Sequence, residues 1–179
     1  MAFKLIRSEA LFKGRAFEIR RDWIQTPDGR ETKFDIIDHG GSVILVPLDA
    51  QGNLLFVRQY RHAAGQDLLE LPAGTLEKGE EPDSCAGREL REETGYAASE
   101  LRRIGHFYPA PGYSTEFMVV YLATDLVASP LKPDSDEFIT LERLNMEDAL
   151  GLARQGKIPD AKSLAALFLA QKYLQPEGR

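Results

Sequence analysis

Cysteine is nearly absent: Cys85 stands alone in 179 residues, which excludes a disulfide framework and any cysteine-rich zinc site. Histidine is almost as scarce. His39, His62 and His106 have no metal-ligand spacing, and Gly112-Tyr113-Ser114-Thr115-Glu116 lacks the second glycine of a nucleophile elbow. There is no P-loop and no Gly-x-Gly-x-x-Gly fingerprint. Long apolar runs are missing too; stretches such as 117–123 fall far short of the ~18 residues that argue for a membrane span. Lys4, Arg7, Ser8 and Glu9 interrupt residues 1–11, so no secretory apolar region starts the chain, and a soluble cytoplasmic protein is expected. A basic excess is also lacking: 22 Lys and Arg face 28 Asp and Glu, a net charge of −6. The basic residues are scattered in pairs such as Arg20–Arg21 and Arg102–Arg103, whereas nucleic acid wants a concentrated basic face. A small anionic substrate stays compatible with this balance if something neutralises the local field.

What remains is ordinary globular material, 43% hydrophobic and 28% charged. The length suits one domain with at most an appendage, and a core that needs no staples. The first forty residues read as strands. Phe17, Ile19 and Trp23 alternate with polar residues and lead into Thr26-Pro27-Asp28-Gly29, a hairpin turn in which Pro pre-sets φ and Gly accepts the unusual one. A partner strand is expected near 31–38. Segments 43–48 and 54–60 flank the turn at 49–53 and predict a second hairpin. Residues 61–81 carry Pro72 and three glycines, 65, 74 and 79, and read as loop. Pro82 suits the first position of a helix and Gly95 the left-handed position beyond its end, so a helix is expected over 82–94, with Gly87 costing it roughly 1 kcal/mol. Strands near 101–108, 117–124 and 137–143 follow, then helices near 146–155 and 160–174. In the last, Leu164, Leu167, Phe168 and Leu174 form the apolar stripe. The order implies an α/β fold, a mixed sheet packed between helices.

On the helix at 82–94, Glu89, Glu92 and Glu93 stand at i, i+3 and i+4. They share one face, where like charges cost a few tenths of a kcal/mol per pair. A solvated acidic face balanced by Arg88 or Arg91 is one reading. The other is a site for a hard divalent cation such as Mg²⁺, which takes one or two carboxylates and keeps room for water and phosphate oxygens.

The surrounding spacing points to the second. Gly74, five residues, Glu80, seven residues, then Arg88-Glu89-Leu90-Arg91-Glu92-Glu93-Thr94-Gly95 resembles the Nudix box of the Nudix hydrolases at full spacing. Tyr96 stands where that family usually has an aliphatic residue. Val57-Arg58-Gln59-Tyr60-Arg61 and Leu69-Glu70-Leu71-Pro72-Ala73-Gly74 resemble the run leading into the box in ADP-ribose and nucleoside-diphosphate-sugar pyrophosphatases. Pro111 lies sixteen residues after Gly95, as a proline does in that subfamily. The likeness covers about residues 15–145.

The resemblance implies a Nudix α/β/α sandwich with a mixed sheet, residues 41–179, preceded by an antiparallel β subdomain, residues 1–40, that serves dimerisation and base binding. It implies Mg²⁺-dependent hydrolysis, with Mn²⁺ as a substitute, of the pyrophosphate bond of ADP-ribose or a related nucleotide sugar. Metal ligands would be Glu89, Glu92, Glu93 and the Ala73 carbonyl; Arg88 would orient the glutamates. Arg61 would reach the diphosphate, with Pro111 also at the substrate. Phe34, Phe17 or Trp23 would stack on the base, although His39 stands where some relatives carry a basic group. Glu137, in Pro133-Asp134-Ser135-Asp136-Glu137, matches the position of the general base, with Glu116 the competitor. The expected partners are a small nucleotide sugar and a second copy of the chain. The alternatives are GDP-mannose or dinucleoside polyphosphates as substrates, or a Nudix-like regulator that binds a nucleotide sugar without cleaving it.

Overall fold

The computed structural model describes residues 2–15, 17–132 and 138–174. The chain forms two compact units, Met1–Gly41 with Phe107–Met118, and Ser42–His106 with Val119–Arg179.

The first unit is a three-stranded antiparallel sheet, in the order β1 (Lys4–Lys13), β2 (Glu18–Gln25), β3 (Glu31–Asp38). The β2–β3 turn is the expected one: Thr26 N–H donates to Arg30 O at 2.8 Å, and Gly29 takes φ 88°. β1 falls in the stretch that reads as strands, although its burial does not alternate: all ten residues are exposed. The segment carrying Pro111 returns to β3 through Ile37 N–H, which donates to Tyr113 O at 2.7 Å, and Thr115 N–H, which donates to Ile37 O at 3.0 Å.

In the second unit, β4 (Ser42–Pro47) is buried at every residue and is followed by β5 (Asn53–Arg61). A short 3₁₀ turn at His62–Ala64 leads to β6 (Gln66–Glu70) and β7 (Ala73–Thr75). The helix α1 (Pro82–Thr94) then precedes β8 (Tyr96–Phe107), β9 (Met118–Ala128) and β10 (Ile139–Asn145). The last elements are α2 (Met146–Arg154) and α3 (Ala161–Leu174). The strands form two sheets, β10-β5-β6 and β7-β4-β9-β8. α1 packs on β4 and β7, α3 on β4, and α2 on β5 and β10.

Three expectations need correction. β4 and β5 do not form a hairpin ladder: they belong to different sheets, joined by the isolated Leu48–Leu54 bridge. Each is an inner strand with its own two neighbours, so the chain crosses between sheets at the turn. The loop at 61–81 contains β6 and β7, which the glycines concealed; Gly65, at φ 67°, closes the turn that pairs β6 with β5. In α3 the buried face is Ser163, Ala166, Leu167 and Ala170, whereas Phe168 is 73% exposed. The helical period holds, but small residues occupy the contact because α3 lies close to the sheet, as Leu169 Cδ1 does to Gly105, where a Cβ would meet it at 2.8 Å.

α1 begins and ends as expected. Glu81 is extended, Pro82 opens the helix, and Gly95 at φ 79° donates its N–H to Arg91 O at 3.1 Å. A side chain at Gly95 would strain this left-handed cap. Leu90, fully buried, seats the helix on its strands, a contribution of about 1.5–3 kcal/mol, and Glu89 and Glu93 lie against β7 at Gly74 and Ala73.

Candidate active site

Glu89 and Glu93 are each only 7% exposed. Burying two like charges on adjacent turns demands compensation, and the structure supplies it from two sides. Ala73 N–H donates to Glu93 Oε2 at 3.0 Å. Arg88 Nη1 donates to Glu89 Oε1 at 2.7 Å and to Glu92 Oε2 at 2.9 Å, while Nε and Nη2 bind Glu80 at 3.0 and 2.9 Å. One guanidinium thus ties three box carboxylates together, using the planar donor geometry that lysine lacks. The Glu80 carboxyl is held down to about 2, first by its hydrogen bond from Arg88, against the opposing effect of burial. The same contact raises Arg88 further above its usual range.

Gly74 explains itself at this point. A Cβ there would stand 1.8 Å from Glu89 Cδ and 1.9 Å from Oε1, so the absence of a side chain lets the carboxylate lie across β7. Cys85 is fully buried, and burial, with Glu89 and Glu80 next in effect, pushes its thiol up to about 12. It is inert packing.

At the far end of β5, Arg61 forms a bidentate pair with Glu70, at 2.9 and 2.7 Å. The carboxylate is buried, at 1% exposure, while 42% of the Arg61 side chain stays open. The hydrogen bond that Arg61 donates to Glu70 leads the causes that raise Arg61, against burial, and the charges of Glu93 and Asp160 add to it. The backbone between β6 and β7 is pinned from both sides. Leu71 N–H donates to Ser163 Oγ at 2.7 Å, Ser163 Oγ donates to Asp160 Oδ2 at 2.7 Å, and Leu45 N–H donates to Pro72 O at 2.8 Å.

The donors gathered here are all oxygens, the preference of hard cations such as Mg²⁺. Among the described residues no three acidic, histidine or cysteine side chains converge to hold an ion by themselves; Glu89 and Glu92 face Arg88, and Glu93 faces Ala73 N–H. Mg²⁺ needs only one or two carboxylates with water and phosphate oxygens for the rest, so the donor set fits a cation shared with an anionic substrate.

The expected site residues thus fall into groups. Ala73, Arg88, Glu89, Glu92 and Glu93 come together around α1 and β7, and Arg61 belongs to the same unit. Phe17 and Phe34, at 39% and 44% exposure, and the exposed Pro111 belong to the first unit, as does the competitor Glu116. Trp23 is 7% exposed and covered by Arg7, whose guanidinium lies 3.2 Å from the ring centre. Glu137 lies outside the described residues. Two partners escaped the sequence reading, Glu70 and Ser163. A glutamate embedded in Leu68-Leu69-Glu70-Leu71 was the available signal for the first; nothing local marks the second.

The NUDIX domain model matches residues 38–167. The chain belongs to the Nudix family. Among its relatives, the ADP-ribose pyrophosphatase of Bacillus subtilis (strain 168) is 37% identical over 174 residues, 96% of this chain and 92% of the relative. The methanol dehydrogenase activator of Bacillus methanolicus is 34% identical over 174 residues, with the same coverage of 96% and 92%. A crystal structure of an ADP compounds hydrolase superposes with a TM-score of 0.87 over 100% of this chain and 97% of the other, at 23% identity. That similarity establishes the Nudix α/β fold with its N-terminal antiparallel sheet.

Proposed function

We propose that this Nudix chain hydrolyses the pyrophosphate bond of ADP-ribose or a closely related nucleoside diphosphate sugar, with Mg²⁺ as the working metal and Mn²⁺ able to replace it. The observation that carries this reading is the set Glu89, Glu92 and Glu93 gathered along one edge of α1, with Gly74 leaving space for the first of them. A solvated acidic face would need neither burial nor a matching glycine.

Glu89, Glu92 and Glu93, with the Ala73 carbonyl, would hold the metal. Bound there, Mg²⁺ supplies charge neutralisation of the diphosphate and lowers the pKa of coordinated water. Arg88 keeps Glu89 and Glu92 at fixed spacing through its two Nη1 contacts. Arg61 gives Glu70 one donor from Nε and one from Nη2, and the remaining N–H groups of its five are suited to phosphate oxygens. Glu137 removes a proton from the attacking water. Water adds to phosphorus, the bridging P–O bond breaks, and ADP-ribose yields AMP and ribose 5-phosphate. Phe17 and Phe34 stack on the base, and Pro111 shapes the substrate contact.

A homodimer formed through the N-terminal sheet fits the exposed apolar residues of its edge strand, Leu5, Ile6, Leu11 and Phe12, between 44% and 57% exposed; an apolar edge of this length invites pairing. Residues 1–40 would then be the dimerisation and base-binding subdomain and 41–179 the catalytic one. The acidic balance argues against nucleic acid, and among the described residues no helix is long and apolar enough to cross a membrane; cytoplasmic residence is the reading that suits both.

The test is product release from ADP-ribose, GDP-mannose and diadenosine polyphosphates, with Mg²⁺ and with EDTA. Mg²⁺-dependent formation of AMP from ADP-ribose, faster than from the others, is expected. Binding without metal-dependent turnover of any of them would instead favour a regulator.

A further inference from the structure

Among the described residues, the buried side-chain atom that finds no hydrogen-bond partner is Gln59 Oε1. Gln59 is 7% exposed, two residues before the end of β5. A buried carbonyl oxygen without a donor lowers the stability of the folded state, and such a group in a native protein calls for an explanation. Its position supplies one. Alternate residues of a strand share a face, so Gln59 lies on the face of Val57 and Arg61. The β5–β6 register, Val57 opposite Glu70 and Gln59 opposite Leu68, brings Glu70 to the same face, where it grips Arg61. Burial falls along that row from Val57, at 2% exposure, through Gln59 to the half-open Arg61. Gln59 therefore sits where the core gives way to the site, one strand repeat of about 6–7 Å from the arginine.

We infer that Gln59 is a substrate-binding residue whose side-chain carbonyl accepts a hydrogen bond from a sugar hydroxyl flanking the diphosphate. This rests on the nucleotide-sugar reading above. The ionised diphosphate offers no donor, so the nearest donors one strand repeat from Arg61 are the hydroxyls of the sugars on either side of it. An apolar residue would pack as well in the free protein; the amide gains its partner only when substrate arrives.

The test uses the full chain with Gln59→Met, which is near in size, and Gln59→Leu as a second variant. Thermal unfolding is measured without ligand, and binding of ADP-ribose and of ADP by calorimetry in EDTA. The expected result is an unchanged or higher Tm together with at least about fivefold weaker binding. Weakening for ADP-ribose alone assigns the contact to the terminal sugar; equal weakening for ADP assigns it to the nucleoside ribose; either supports the inference. Unchanged affinity for both ligands, or a lower Tm in both variants, overturns it, since the oxygen would then be idle or satisfied within the fold. If the unaltered protein binds neither ligand, the nucleotide-sugar reading fails and takes this inference with it, an outcome distinct from tight binding by every variant.

Discussion

Replacing Gly74 with alanine tests the site at its tightest point. The backbone itself accepts the change, because Gly74 is not among the glycines at positive φ. The added methyl meets one thing: Glu89, with Cδ at 1.8 Å, Oε1 at 1.9 Å and Oε2 at 2.4 Å. Ordinary carbon contact begins near 3.5 Å, so the carboxylate must retreat by about 1.7 Å. It is the end of a flexible side chain, and the fold can absorb the move. The stability change should stay within about 1 kcal/mol, since alanine also restricts the unfolded chain. Catalysis has no such tolerance: displacement of a positioned group by ~1 Å costs on the order of 100-fold. Gly74→Ala should therefore lose about 100-fold in kcat/KM for Mg²⁺-dependent AMP release from ADP-ribose while its Tm moves by only a few degrees. Gly151→Ala is the control, with nothing within 4 Å of the new methyl; it should leave activity intact. Turnover by Gly74→Ala within threefold of the unaltered protein, at unchanged Tm, would show that Glu89 need not lie across β7 and would remove the geometric basis of the proposed metal site.

Glu137→Gln should lower kcat by ~100-fold or more while Mg²⁺ affinity, followed by titration, barely moves; near-normal turnover removes Glu137 from the role of base. Ser163→Ala leaves the buried Leu71 N–H without its acceptor and should cost about 1–3 kcal/mol, read by calorimetry as a Tm lower by roughly 3–10 °C. Glu80, held down to about 2 from an ordinary 4.5, stabilises the folded state fully above pH 4.5 and loses that effect as the pH falls toward 2. The Tm difference between the unaltered protein and Glu80→Gln should accordingly be constant near neutrality and shrink through that acid window; a difference that grows on acidification contradicts the Arg88–Glu80 pairing.

Legibility followed the range of the forces involved. α1 was readable to the residue because both of its boundaries are local chemistry, Pro82 at the start and Gly95 in the left-handed cap. The glutamate edge was readable because helical spacing alone brings 89, 92 and 93 to one face. Strand pairing was not: the turn at 49–53 looks the same whether β4 and β5 pair or part into two sheets, and only the competition of β7, β9, β6 and β10 for their edges decides it. The face of α3 was misjudged for a related reason, since hydropathy favours Phe168 while close approach to the sheet favours Ser163, Ala166 and Ala170. The service Gly74 renders Glu89 and the attachment of Leu71 to Ser163 span 15 and 92 positions, beyond any local pattern.

β1 carries a thermodynamic debt. Holding ten residues extended costs about 1–2 kcal/mol of backbone entropy apiece, and every residue of this strand stays exposed, Leu11 the least of its large apolar ones at 44%; its hydrogen bonds to β2 recover only part of that cost. What the strand gives in return is cover for its neighbour: Arg7 lies across the Trp23 ring, which stays 7% exposed, so peeling β1 away would wet an indole as well as free a strand edge.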